Sequence, residues 1–97
     1  MSELNANRLR VLFVDDEEGN LKAFRSTFRR DMDVLLAHSG QEALDILERE
    51  RVHVIISDQR MPGMSGDAFL AIARERHPNT MRMLLTGYAD LEAVVAA

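Results

Sequence analysis

The sequence predicts an α/β fold with a parallel sheet covered on both faces, and three observations carry that prediction. First, the apolar residues fall in short runs, Leu9 to Val14, Val34 to Ala37, His53 to Ser57 and Met81 to Thr86, and stretches such as VLFV and VIIS do not alternate. Unbroken runs of this length suit strands buried on both faces. Second, the segments between them have the length and spacing of crossover helices, giving the pattern βαβαβαβα. Third, 97 residues with 46% hydrophobic and 29% charged side chains make a globular composition sized for one domain, residues 1–97.

Each element has a local reason. After the first strand, Leu21, Phe24 and Phe28 recur at i, i+3 and i+7, predicting a helix from Glu18 to Arg30 that buries them and turns Lys22, Arg25 and Arg29 outward. The second helix opens at Ser39, with Glu42 at capping-box spacing, and directs Ala43, Leu44 and Leu47 inward. The third runs from Ser65 to His77 with Phe69, Ile72 and Ala73 on one face, and Pro78 stops it. The fourth starts at Asp90, a good N-cap, and carries Leu91, Val94 and Val95. Residues 1–7 read as a loose tail.

Composition excludes several chemistries. With no cysteine there is neither a disulfide nor a thiolate metal site, and a reducing, cytoplasmic location is expected. Twelve basic against sixteen acidic residues give a net charge of −4, the wrong sign for neutralising nucleic-acid phosphates, so this segment is not expected to bind DNA. No apolar run approaches the roughly 20 residues that span a bilayer, and no membrane role is expected. No G-x-x-x-x-G-K occurs, so nucleotide hydrolysis through a P-loop is not supported.

The chemistry-bearing residues sit at strand ends. Asp15 and Asp16 follow the first strand and Asp58 follows the third, and in an open α/β sheet ligands bind at the carboxyl edge where strand order reverses. The three carboxylates should converge there. At about 4 Å each pair repels by roughly 4 kcal/mol at an effective dielectric near 20, so the cluster needs a cation or a proton. Oxygen-only ligation with few carboxylates favours Mg²⁺. Thr86, followed by Gly87, ends the fourth strand and can present a hydroxyl to the same mouth, while Gln59 to Gly66 is a loop shaped by a proline and two glycines. Glu17 and Glu18 suit the dipole of the first helical turn. The methionines read as packing, and His38, His53 and His77 have no ligand spacing.

Val14-Asp15-Asp16, Asp58 followed by Met61-Pro62-Gly63-Met64-Ser65-Gly66, and Leu84-Leu85-Thr86-Gly87 together resemble the receiver domain of two-component response regulators. The resemblance covers essentially the whole chain and implies a flavodoxin-like doubly wound parallel sheet of order 2-1-3-4. It implies that Asp58 is the phosphoacceptor and that Asp15 and Asp16 form the acidic pocket for Mg²⁺ with Asp58. The backbone carbonyl of Arg60 would complete the protein ligands, and Thr86 would be the switch hydroxyl. The partner implied is a sensor histidine kinase or a phosphotransfer protein, and the module is regulatory rather than a turnover enzyme.

Receivers carry a fifth βα unit with a lysine that pairs with the phosphoryl group, and these 97 residues read as a (βα)₄ chain without it. Their one lysine, Lys22, falls on the outer face of the first helix, and Tyr88 is on the wrong strand for the family's coupling aromatic. Two other readings stand beside the switch: a phosphorylation-independent interaction fragment, and an Mg²⁺-dependent aspartyl-nucleophile phosphohydrolase. The Asp-x-Asp arrangement usual in the latter is missing after Asp15. An uncovered fourth strand, apolar except for Arg82, is also expected to favour a homodimer.

Overall fold

The computed structural model describes residues 8–86. Four strands, β1 (Arg10–Val14), β2 (Asp33–Ala37), β3 (Val54–Asp58) and β4 (Met81–Leu85), alternate with three helices, α1 (Glu18–Phe28), α2 (Gly40–Arg49) and α3 (Gly66–Arg76). All strand pairs are parallel and the order is β2-β1-β3-β4. The predicted sheet and its first three crossovers are therefore present. The helix expected from Asp90, with Leu91, Val94 and Val95, lies outside the described residues, as do Gly87, Tyr88 and the 1–7 tail.

Register fixes which side chains share a face. Val11 pairs with Val54 and Val54 with Met81, while Phe13 pairs with Ile56 and Ile56 with Met83. These point toward α1. The alternate positions, Leu12, Val14 and Ile55, are fully buried with Phe69, Ala73, Ala43, Leu44 and Leu47 in one core beneath α2 and α3. That side holds the fold together, since burying a large apolar side chain contributes about 1.5–3 kcal/mol.

Helix ends follow local chemistry. Ser39 Oγ accepts the Glu42 backbone N–H at 3.1 Å, as a cap should, but the Glu42 carboxylate takes the His38 backbone N–H instead of closing the box on Ser39. The first helix stops at Phe28, two residues early, because Asp31 N–H and Met32 N–H both donate to the Phe28 carbonyl and the Arg8 guanidinium donates to the carbonyls of Arg29 and Met32. Of its three predicted inward residues only Leu21 is fully buried. Phe24 and Phe28 are half-buried, with Phe24 stacked on Phe13 at 4.3 Å between ring centroids. Among the described residues α1 alone covers that face, so its aromatic edge stays partly open.

Candidate functional site at the carboxyl edge of the sheet

β1 and β3 are neighbours, so parallel pairing brings their carboxyl ends side by side. One carboxylate oxygen from each of Asp15, Asp16 and Asp58 lies within 4.8 Å of the other two. Asp15 is buried, Asp58 is half-buried and Asp16 is exposed. Burial, and after it the charge of Asp15, pushes the Asp58 carboxyl above the usual carboxylate range, with Asp16 and Glu17 adding to the shift. A crowded, partly desolvated set of carboxylate oxygens, without an ion-paired basic side chain among the described residues, fits a hard metal ion.

Asp15 is held by two donors that sequence inspection did not single out: the Glu17 backbone N–H reaches Oδ1 at 2.9 Å and the Asn20 amide reaches Oδ2 at 3.0 Å. Glu17, not Asp16, is the N-cap of α1 and makes no side-chain cap bond, which leaves Asp16 free of the ordinary capping duty of a strand-end carboxylate.

The loop after Asp58 is braced at both ends. Gln59 N–H donates to the Leu85 carbonyl at 3.1 Å, Gly66 N–H donates to the Gln59 carbonyl at 2.9 Å, and Gln59 Oε1 accepts the Asp67 N–H at 2.9 Å. Gln59 thus joins the end of β4 to the first turn of α3. Gly63 turns the loop at φ 83°, in the left-handed region that favours glycine. Gly66 is required by proximity: a Cβ there would stand 2.2 Å from the Asp58 carbonyl oxygen. Arg60 is exposed within this loop. Thr86, half-buried just beyond β4, lines a cleft of about 370 Å³ with Asp15, Asn20, Asp58 and Leu85. The sheet edge therefore gathers Asp15, Asp16, Asp58 and Thr86, while Lys22 stands exposed on α1.

His38 also has a role that spacing did not reveal. Nε2 lies 2.6 Å from Glu18 Oε1 and Nδ1 lies 3.2 Å from Glu42 Oε1, tying the starts of α1 and α2 together. Hydrogen bonding to Glu18 and then Glu42 raises the pKa of its ring.

A doubly wound parallel sheet with an acidic, metal-competent cluster where strand order reverses defines a class of α/β proteins that bind their ligand at that edge. The family follows from comparison with known proteins. The sequence model of the response regulator receiver domain matches residues 11–97, and the chain belongs to that family. It is 44% identical over 86 residues to the hydrogenase transcriptional regulatory protein HoxA of Cupriavidus necator, covering 89% of this chain and 18% of HoxA. It is 34% identical over 89 residues to the response regulator protein FleR of Pseudomonas aeruginosa, covering 91% of this chain and 19% of FleR. The chain thus spans less than a fifth of the length of these two relatives. Among solved structures, the signal receiver domain of an HD domain-containing protein from Pseudomonas fluorescens superposes with a TM-score of 0.82 at 30% identity, covering 92% of this chain and 72% of that one.

Proposed function

We propose that this chain is the phosphoacceptor module of a two-component pathway and that Asp58 takes the phosphoryl group from a sensor histidine kinase or a phosphotransfer protein. The observation that carries the reading is the meeting of Asp15, Asp16 and Asp58 within 4.8 Å at the carboxyl edge. An Asp58 carboxylate oxygen attacks phosphorus in a phosphohistidine, an O–P bond forms as the N–P bond breaks, and the imidazole nitrogen leaves with the electron pair. The product is an acyl phosphate. Asp15, Asp16, Asp58 and the Arg60 backbone carbonyl would hold Mg²⁺, which when bound neutralises charge on the transferring group.

Thr86 lines the same cleft as Asp58, which supports the switch role: its hydroxyl would answer the new phosphoryl oxygens and carry the change along the β4 end. The exposed edge of β4, where Met81 is 62% and Met83 47% exposed, is the surface we assign to association with a second copy. The module acts in the cytoplasm, does not itself contact nucleic acid, and serves a longer transcriptional regulator of the kind its relatives' names describe.

The test is intact-mass and peptide mass spectrometry after incubation with Mg²⁺ and acetyl phosphate. One phosphoryl adduct mapping to Asp58 and lost in Asp58→Asn is the expected result. No adduct on the folded chain would favour the phosphorylation-independent fragment, and sustained release of phosphate over many turnovers would favour the phosphohydrolase.

A further inference from the structure

We infer that Asn20 is the positioning residue of the cation site, its side-chain amide holding the Asp15 carboxylate in the orientation that turns it toward Asp16 and Asp58. The inference rests on the receiver reading above and adds a residue to it. Asp15 is only 4% exposed at the end of β1. A carboxylate that has lost its water is tolerable only with donors or a cation at hand.

Two donors are present among the described residues. The Glu17 backbone N–H to Oδ1 would be supplied by any non-proline residue at that position. The bond from Asn20 Nδ2 to Oδ2, 3.0 Å long, depends on the side chain. Each carboxylate oxygen accepts more than one partner, so both retain a lone pair for an ion while the two donors fix the plane of the group. Take away Nδ2–H and Oδ2 loses the one side-chain donor that, among the described residues, pins it. The terminal torsion of an aspartate is broad, so the carboxylate would then have to be ordered when the ion arrives.

Helix stability gives no competing reason for this residue. Asn20 is exposed on the first turn of α1, and asparagine is a poorer helix former than alanine or leucine. It also lines the cleft that holds Asp58 and Thr86, which places it beside the chemistry rather than on an unrelated surface. Removing a group that orients a metal ligand weakens metal affinity by about 10- to 100-fold.

The experiment is calorimetric titration of Mg²⁺ into the full chain and its Asn20→Ala and Asn20→Leu variants, with ion-free thermal denaturation in parallel. The Asn20 side-chain amide of the unmodified chain is followed by ¹⁵N NMR during the same titration. Affinity about 10- to 100-fold weaker in both variants is expected, together with an ion-free midpoint lowered only by as much as the loss of one hydrogen bond to a buried carboxylate accounts for. The Asn20 amide resonances should move in proportion to Mg²⁺ occupancy. Equal affinity in all three chains overturns the role of Asn20 and leaves the receiver reading standing. Weaker affinity in both variants with an Asn20 amide that ignores the ion in the unmodified chain also overturns it. If the unmodified chain binds no Mg²⁺, the cation site itself fails.

Discussion

The two faces of the sheet are built from the same four strands yet end in different states. Toward α2 and α3, Leu12, Val14, Ile55, Phe69 and Ala73 are completely sealed. Toward α1, burial fades outward from β1: Val11 and Phe13 are buried, Val54 and Ile56 are half-buried, and Met81 and Met83 are exposed. The resulting groove of about 280 Å³ is lined by apolar side chains, Phe24 and Phe28 of α1 among them. Two helices close one face as far as β3, leaving Leu84 of β4 37% exposed, and among the described residues one helix leaves more of the other face open. The sealed core therefore lies on the α2 and α3 side, and among the described residues the larger exposed apolar surface lies on the α1 side.

The largest expected effect comes from breaking the sealed side. Phe69→Ala should cost about 3–5 kcal/mol, read as a shift in the urea midpoint, because a fully buried ring leaves a cavity. Gly66→Ala should cost about 1–3 kcal/mol, since a Cβ meeting the Asp58 carbonyl is overpacking that only backbone movement can relieve. It should also disturb the loop that frames Asp58. On the open side Phe24→Ala should cost only about 1.5 kcal/mol, in keeping with its half-burial. A cost equal to that of Phe69→Ala would erase the difference between the faces.

Smaller still, Met83→Lys should change stability by no more than about 0.5 kcal/mol while shifting light-scattering mass toward the monomer across a concentration series. A monomer at every concentration before substitution would remove the association assigned to this edge.

The smallest effect is the His38 clasp. Its raised pKa means that the folded state holds the ring proton more tightly than the unfolded chain does. The stabilisation is complete below the ordinary histidine value of about 6.5 and fades as pH rises through the folded-state pKa. An NMR titration of the ring should show a midpoint above 6.5 that falls back in Glu18→Gln. A midpoint unchanged by that substitution would remove Glu18 as the cause.

Most of the fold was legible because its signals are local. Strand runs such as VLFV and VIIS, the Ser39 cap and the Pro78 stop each act within a few residues, and the observed ends fall within two residues of the expected ones. The acidic cluster was legible because strand-end placement converts sequence position into proximity. The roles of Asn20, Gln59 and His38 were not, because each depends on a side chain reaching a group fixed by the fold: Asn20 to Asp15, Gln59 to Asp67, His38 to Glu18. The half-burial of Phe24 and Phe28 was hidden for a related reason, since periodicity gives the direction of a face and not what covers it.

The central claim is that Asp15, Asp16 and Asp58 act as one cation site at the edge of the sealed core. Asp16 offers the cleanest handle, being exposed and free of any cap bond, so Asp16→Ala should fold as the parent does. Calorimetric titration of Mg²⁺ into both chains is the most direct measurement. The account predicts one bound ion in the parent and an affinity at least about tenfold weaker in Asp16→Ala, the loss expected when one charged oxygen ligand is removed. An unchanged Mg²⁺ affinity in the folded Asp16→Ala chain would contradict it.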